Sequence, residues 1–88
     1  MKSKEDYVVD GIVESVKIKM MLNSIKKLID LHGYSPSLKE LGNVWGLSSA
    51  SGVLHWVRQF EKEGYITTLH NQPRTIRLTK HGEYMIKG

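Results

Sequence analysis

Residues 37–64 have the sequence SLKELGNVWGLSSASGVLHWVRQFEKEG, which contains two helical patterns separated by a short turn. Ser37 stands three residues before Glu40, as in a capping box, where each side chain accepts a hydrogen bond from the other residue's free backbone N–H. Pro36 prevents a helix from running through this point. The pattern predicts a helix of about two turns that ends at Gly46. Its apolar positions are Leu38, Leu41, Val44 and Trp45.

The second pattern predicts a longer helix with two distinct faces. Ser49 is the expected N-cap and Gly64 the expected C-cap. The apolar face carries Val53, Trp56, Val57 and Phe60. The opposite face lies about 200° round the helix and carries Ser51, Leu54, His55 and Arg58. We therefore expect one face to pack in a core and the other to be exposed, with Leu54 as an exposed leucine among polar neighbours.

The pattern changes after this helix. Residues 65–69 and 75–79 are β-prone runs joined by residues 70–74, which predicts a hairpin with a long loop. Thr79 is expected to cap a short last helix that carries Tyr84, Met85 and Ile86. We therefore predict a mainly α domain with a small β-hairpin. The order of elements is that of a winged helix-turn-helix, with a three-helix core, a wing and an N-terminal helical extension.

The N-terminal third of the chain carries two apolar stripes. The core stripe consists of Ile18, Met21, Leu22, Ile25, Leu28 and Ile29, and Gly33 follows as the expected C-cap. A second stripe consists of Val9, Ile12, Val13, Val16 and Met20. On a continuous helix the two stripes lie about 170° apart, so one core does not bury both.

This second stripe predicts a partner for the N-terminal segment. We expect residues 1–14 to be a helical extension that serves as a dimerisation arm, most simply with another copy of the chain, and residues 15–88 to be the globular domain. One alternative is a break near Gly11 or Ser15, after which the arm folds back. Another is a short strand over residues 7–9. Residues 84–86 are a second candidate interface.

Composition narrows the class of protein. The chain has 88 residues, no cysteine and a net charge of +4. A domain of this size needs most of its apolar residues for its core, so we expect neither an enzyme nor a bound cofactor. The histidines lack the spacing of a metal site, and no metal is expected. They are His32, His55, His70 and His81. With no signal peptide or membrane span in the sequence, a cytoplasmic protein without membrane contact is expected.

Two features favour nucleic acid as the partner. The outward face of the third helix has small residues at its N-terminal end, where the helix dipole and free N–H groups suit phosphate. They are Ser49, Ser51 and Gly52, followed by Leu54, His55 and Arg58. The hairpin region from Gly64 to Gly82 has no acid, and Arg74 at its tip and Arg77 are candidate phosphate contacts. The alternatives are an ordinary polar helix face with capping serines, and a solvated strand face.

Several segments together resemble the DNA-binding domain of the LexA repressor family, over about residues 15–78. They are GYSPSLKELG from Gly33, WGLSSAS from Trp45, EGYI from Glu63 and PRTIR from Pro73. The resemblance implies that the third helix enters the major groove of operator DNA and that the wing contacts the backbone nearby. It implies base reading by Ser49, Ser51, Gly52, Leu54 and His55, with Arg74 on the wing.

The sequence departs from the LexA pattern in two ways. Gly52, Leu54 and His55 stand where LexA proteins typically carry other residues, so the operator is expected to differ from theirs. The chain also leaves no room for the C-terminal peptidase domain of LexA. A free-standing module of this kind is one that a bacteriophage or mobile element could encode.

We therefore expect a sequence-specific transcription regulator, either repressor or activator, that binds operator or promoter DNA as a homodimer. The alternative from another class is a protein-interaction module for a repressor, an RNA polymerase component or another regulator. Binding of double-stranded RNA or of a replication origin is a third interpretation.

Overall fold

The first helix is much longer than any that follows. In the computed structural model, which describes residues 4–70 and 72–87 and the side chains of residues 14–70 and 72–87, α1 runs over Lys4–His32. It passes through Gly11 and Ser15 without a break and forms no strand at residues 7–9, as the extended helix requires. At about 1.5 Å per residue it is roughly 43 Å long, which equals the longest dimension of the molecule, 43 Å.

The capping box predicted for the second helix is present. In α2, Leu38–Trp45, the Glu40 N–H donates to Ser37 Oγ at 3.1 Å, and the Ser37 N–H donates to Glu40 Oε1 at 3.3 Å. The helix ends at Gly46, whose φ of 72° lies in the left-handed region that glycine adopts without steric cost.

The third helix, α3, covers Ala50–Lys62. Ser49 is its N-cap, with Oγ accepting from the Gly52 N–H at 3.1 Å, as predicted. Its C-cap is Glu63 rather than Gly64, because the chain stays in the right-handed region for one more residue before Gly64 turns to a φ of 81°.

The core lies where α1, α2 and α3 meet the hairpin. Phe60 is buried and forms aromatic contacts with Trp45, Trp56 and Tyr65. Around it lie Met21, Leu22, Ile25, Leu41, Val53, Val57, Ile66 and Ile76, all buried. Trp56, predicted on the apolar face, is half-buried at the edge of this cluster. The apolar periodicity of the three helices therefore predicted most of the core, but Val44, predicted on the apolar side of α2, is 53% exposed.

The hairpin is smaller than the sequence predicted. Its strands are β1, Ile66–Thr67, and β2, Arg77–Leu78, paired antiparallel with Ile66 opposite Leu78. Side chains take over the backbone groups that a longer ladder would pair. The Ile76 N–H donates to Ser35 Oγ at 2.9 Å, and the Leu69 N–H donates to Thr75 Oγ1 at 2.9 Å.

The chain ends with α4, Lys80–Lys87. Thr79 caps it as predicted, since its Oγ1 accepts from the Gly82 N–H at 3.0 Å. Tyr84 is exposed, whereas Met85 and Ile86 are half-buried against the core. In the part of the chain that the structure describes, no helix combines the length and hydrophobicity needed to cross a membrane.

Candidate nucleic-acid interface

One ridge of α3 is exposed along its whole length. Ser51, His55 and Arg58 lie on it and are all exposed, while the opposite side of the helix is buried in the core. The same spacing continues to Lys62, which is also exposed. Lys62 was not among the predicted contacts, although the repeat of three and four residues from Ser51 extends to it. We call these four residues the α3 ridge.

Two other residues assigned to this face, Ser49 and Gly52, have roles in the cap of the helix. Ser49 is exposed, and its Oγ caps the helix. Gly52 is half-buried, and a Cβ placed there would lie 3.3 Å from Ser49 Oγ. A small residue at position 52 therefore keeps the cap unstrained. Both residues lie at the N-terminal end of α3, where the first turn contains no acid.

Leu54 is not the exposed leucine that the sequence suggested. It is half-buried and lines a cleft of about 370 Å³ between α3 and the wing. The wing forms the other side of this cleft, which helical periodicity alone does not reveal. Leu54 is therefore part of the wall of the cleft.

A lysine side chain from α1 lies next to the α3 ridge. The Lys17 ammonium is 5.0 Å from the centre of the Trp56 ring, a cation–π distance. His55 meets the same indole edge to face, with ring centres 5.8 Å apart. Since Lys17 is far from α3 in the sequence, only the tertiary structure brings it to this edge of the helix.

Glu61 ties the wing to α3. Its Oε2 accepts a hydrogen bond from Thr68 Oγ1 at 2.8 Å and lies 3.6 Å from His70 Nε2. Glu61 is the first acidic residue of α3 in the sequence. Because this carboxylate faces the wing, it binds the hairpin and is half-buried rather than fully exposed at the ridge.

Arg74 lies on the wing as predicted, but its guanidinium turns towards the protein. Nη2 forms an ion pair with Glu40 Oε1 at 2.6 Å, and Nη1 donates to the Ser35 carbonyl at 3.2 Å. The guanidinium carbon is also 5.1 Å from the centre of the Tyr34 ring. The Arg74 side chain remains 46% exposed. The sequence did not predict these contacts, because Ser35 and Glu40 approach the wing only in the folded domain.

Glu40 therefore joins two structures, the cap of α2 and the wing. Hydrogen bonds from the Ser37 side chain and backbone, together with the Arg74 guanidinium, hold the pKa of Glu40 below its ordinary value. The carboxylate is the favoured form because all of these groups bind its negative charge. It remains ionised where an ordinary glutamate would begin to take up a proton.

Arg77 is exposed on β2, opposite the exposed Thr67 of β1. It lies on the outer face of the hairpin, and Ile66 and Leu78 fill the inner face at the other cross-strand pair. The hairpin thus presents Arg77, a positively charged side chain, on a face without acidic residues, since no Asp or Glu occurs between positions 64 and 82.

Comparison with known proteins agrees with this architecture. The LexA DNA binding domain family matches residues 15–75. The chain is 34% identical over 71 residues to LexA repressor 2 of Nocardia farcinica, covering 81% of this chain and 29% of that protein. It is 38% identical over 64 residues to the LexA repressor of Leifsonia xyli subsp. xyli, covering 73% of this chain and 29% of the relative.

A third relative, the LexA repressor of Mycolicibacterium paratuberculosis, is 38% identical over 58 residues, which are 66% of this chain and 25% of that protein. The chain thus spans between a quarter and three tenths of the length of these curated relatives. The family match begins at residue 15 and covers α2, α3 and most of the wing. This chain belongs to the LexA DNA-binding domain family.

Proposed function

We propose that this protein is a sequence-specific transcription regulator that binds double-stranded operator DNA. In this proposal α3 lies in the major groove and the wing contacts the adjacent backbone. The observation that carries it is the α3 ridge: Ser51, His55 and Arg58 are exposed in one line, on a helix whose other side is buried. A helix presented in this way fits the width of the major groove.

The chemistry of the ridge suits base edges and phosphates. Arginine donates two hydrogen bonds to guanine, and serine pairs with several bases. We therefore assign base contacts to Ser51, His55 and Arg58. We assign backbone contacts to Lys62 and to the N-terminal turn of α3 with Ser49 and Gly52, where the first N–H groups have no intrahelical acceptor and Ser49 Oγ accepts from the Gly52 N–H.

The two wing arginines receive different roles in the proposal. Arg77 is exposed on the outer face of the hairpin and acts by its charge on a phosphate. Arg74 holds the wing against the loop before α2, through Ser35 and Glu40, and offers its exposed N–H groups to the backbone. Leu54 is given no contact with a thymine methyl group, because it is half-buried in the cleft beside the wing.

The regulatory output that we propose is repression. The relatives with which the chain shares this domain carry the name repressor. A protein bound to promoter DNA represses when it excludes other proteins from the same sites.

The proposal is tested by titrating duplex DNA with the wild-type protein, Arg58→Ala and Lys87→Ala at several salt concentrations. We expect wild-type affinity to fall linearly on a logarithmic salt scale, as counterion release requires. Arg58→Ala should weaken binding by about 1–3 kcal/mol. Lys87 is the matched control, because it is exposed on α4, which packs on α1 and β2.

Fluorescence anisotropy measures the affinity of each protein for duplex DNA and its dependence on salt concentration. Equal affinities for Arg58→Ala and Lys87→Ala would show that any DNA binding is a general effect of charge, and would remove α3 from the interface. A folded wild-type protein that does not bind duplex DNA at low salt would overturn the proposed function.

A further inference from the structure

Outside the proposed DNA interface, an exposed apolar surface lies between α1 and α2. Val16, Met20 and Val44 are 49%, 68% and 53% exposed. They border a groove of about 540 Å³ whose floor includes Trp45 and Trp56. Exposed apolar patches of this kind on small domains mark contact surfaces. We call this surface the α1–α2 groove.

The apolar line continues beyond the groove along α1. This helix begins at Lys4, and among the side chains described from residue 14 onward its first buried one is Met21. The side chains of Val9, Ile12 and Val13 lie outside the described residues. Their positions on the helix nevertheless follow from its period: they fall on the same side as Val16 and Met20. The helical backbone thus carries one apolar stripe from residue 9 to residue 20.

We propose that this stripe and the α1–α2 groove bind a second copy of the chain, with the two α1 helices antiparallel about a twofold axis. The spacing of the stripe supports a self-pairing. Val13 and Val16 are equally distant from the point between Glu14 and Ser15, and so are Val9 and Met20. A twofold axis at that point places each residue of a pair opposite its counterpart in the other copy, as an isologous interface requires.

Charge decides between antiparallel and parallel pairing. Residues 5–14 contain four acidic residues and no basic one, whereas residues 15–24, which the axis places opposite them in the other copy, contain Lys17 and Lys19 and no acidic residue. Antiparallel helices bring the acidic half of one copy alongside the basic half of the other. Parallel helices bring like charges together along the whole interface, which is unfavourable.

The dimer is a property of the free protein and does not depend on DNA binding. It would supply two copies of α3 to one operator, and specific operators are commonly read by dimers on repeated half-sites. If the protein proves monomeric, the proposed function of α3 still stands. If DNA binding fails, the dimer is unaffected.

The first test is sedimentation equilibrium of the full chain without DNA at micromolar concentrations. We expect a dimer whose dissociation constant increases with salt concentration, because the paired charges are screened. Met20→Glu should raise that constant by at least about tenfold, since it buries an unpaired charge in the interface. Leu31→Glu is the control: Leu31 is also exposed on α1, but lies beyond the paired segment.

Circular dichroism melting shows whether both variants are folded. A wild-type monomer at about 100 μM, or equal weakening by Met20→Glu and Leu31→Glu, would overturn the proposal. A Met20→Glu variant that is folded and monomeric, beside a dimeric Leu31→Glu variant, would support it.

The second test fixes the direction of pairing. The chain has no cysteine, so single cysteines report one contact each. We would mix equal amounts of a Val9→Cys chain and a Met20→Cys chain and oxidise them under mild conditions. The antiparallel register predicts mainly mixed disulfides between the two chains. Disulfides formed mainly between two chains of the same variant would contradict it, because they indicate parallel helices.

Discussion

Arg74 and Glu40 show how one ion pair can link the wing to the cap of a helix. Arg74 has a φ of 57°, a left-handed conformation that non-glycine residues seldom adopt, and its guanidinium reaches both Ser35 and Glu40. Such a conformation persists when surrounding contacts hold it in place. The position of the wing therefore depends on contacts that lie away from the α3 ridge.

This pair allows the two roles of Arg74 to be separated. Arg74→Ala removes both the positive charge and the wing contact, whereas Glu40→Gln removes the ion pair and leaves the arginine in place. If Arg74 also contacts phosphate, only Arg74→Ala should reduce the slope of log affinity against log salt, by about 1. Loss of wing position should weaken DNA binding in both variants without this change in slope for Glu40→Gln.

DNA titrations at several salt concentrations measure the two effects separately. Ser37→Ala is a useful control, since it removes the side-chain half of the capping box at a cost of about 1 kcal/mol in stability and leaves Arg74 untouched. A Glu40→Gln variant with wild-type affinity, beside an unchanged salt slope in Arg74→Ala, would mean that Arg74 has neither role.

At the scale of elements, α4 depends on a close approach to the hairpin. Gly82 is buried against the Tyr65 carbonyl, and a Cβ at this position would overlap that oxygen. We expect Gly82→Ala to destabilise the protein by about 1–3 kcal/mol, because the backbone of β1 or α4 must shift to make room.

Gly52→Ala is the matched control for Gly82→Ala. Its Cβ would meet only a serine hydroxyl at 3.3 Å and a more distant leucine methyl, and alanine favours the helix by about 1 kcal/mol over glycine. We expect a small net change at position 52. Urea unfolding followed by circular dichroism gives both free energies. Equal stability of wild type and Gly82→Ala would show that α4 does not need this contact.

The elements differ in how far the sequence predicts them. The N-caps of α2 and α3 depend on residues three apart, such as Ser37 with Glu40, so local chemistry predicts them and the structure confirms them. The buried faces of these helices follow from the apolar period in the same way.

Features that depend on contacts between distant segments were not predictable. Ser35 shortens the hairpin by taking the Ile76 N–H, Leu54 shares a cleft with the wing, and Lys17 reaches Trp56 from α1. Each contact joins residues far apart in sequence. No local pattern contains them.

Across the whole molecule, most of the net positive charge and the exposed apolar line of α1 lie on different elements. Residues 33–88 carry seven bases and four acids, which places +3 of the net +4 in the part that contains α2, α3 and the wing. The exposed apolar line lies instead on α1 and the end of α2. A basic face for DNA and an apolar face for a second copy are therefore compatible on one small domain.

Recognition of DNA sequence by α3 is tested most directly by selecting bound duplexes from a random DNA pool. The selection would be run with wild-type protein and with His55→Ala, at two salt concentrations. We expect the wild-type protein to enrich one sequence motif at both salt concentrations. We expect His55→Ala to enrich a motif altered at a few adjacent positions. Failure of the folded wild-type protein to enrich any motif, or an identical motif from His55→Ala, would contradict base recognition by α3 as assigned.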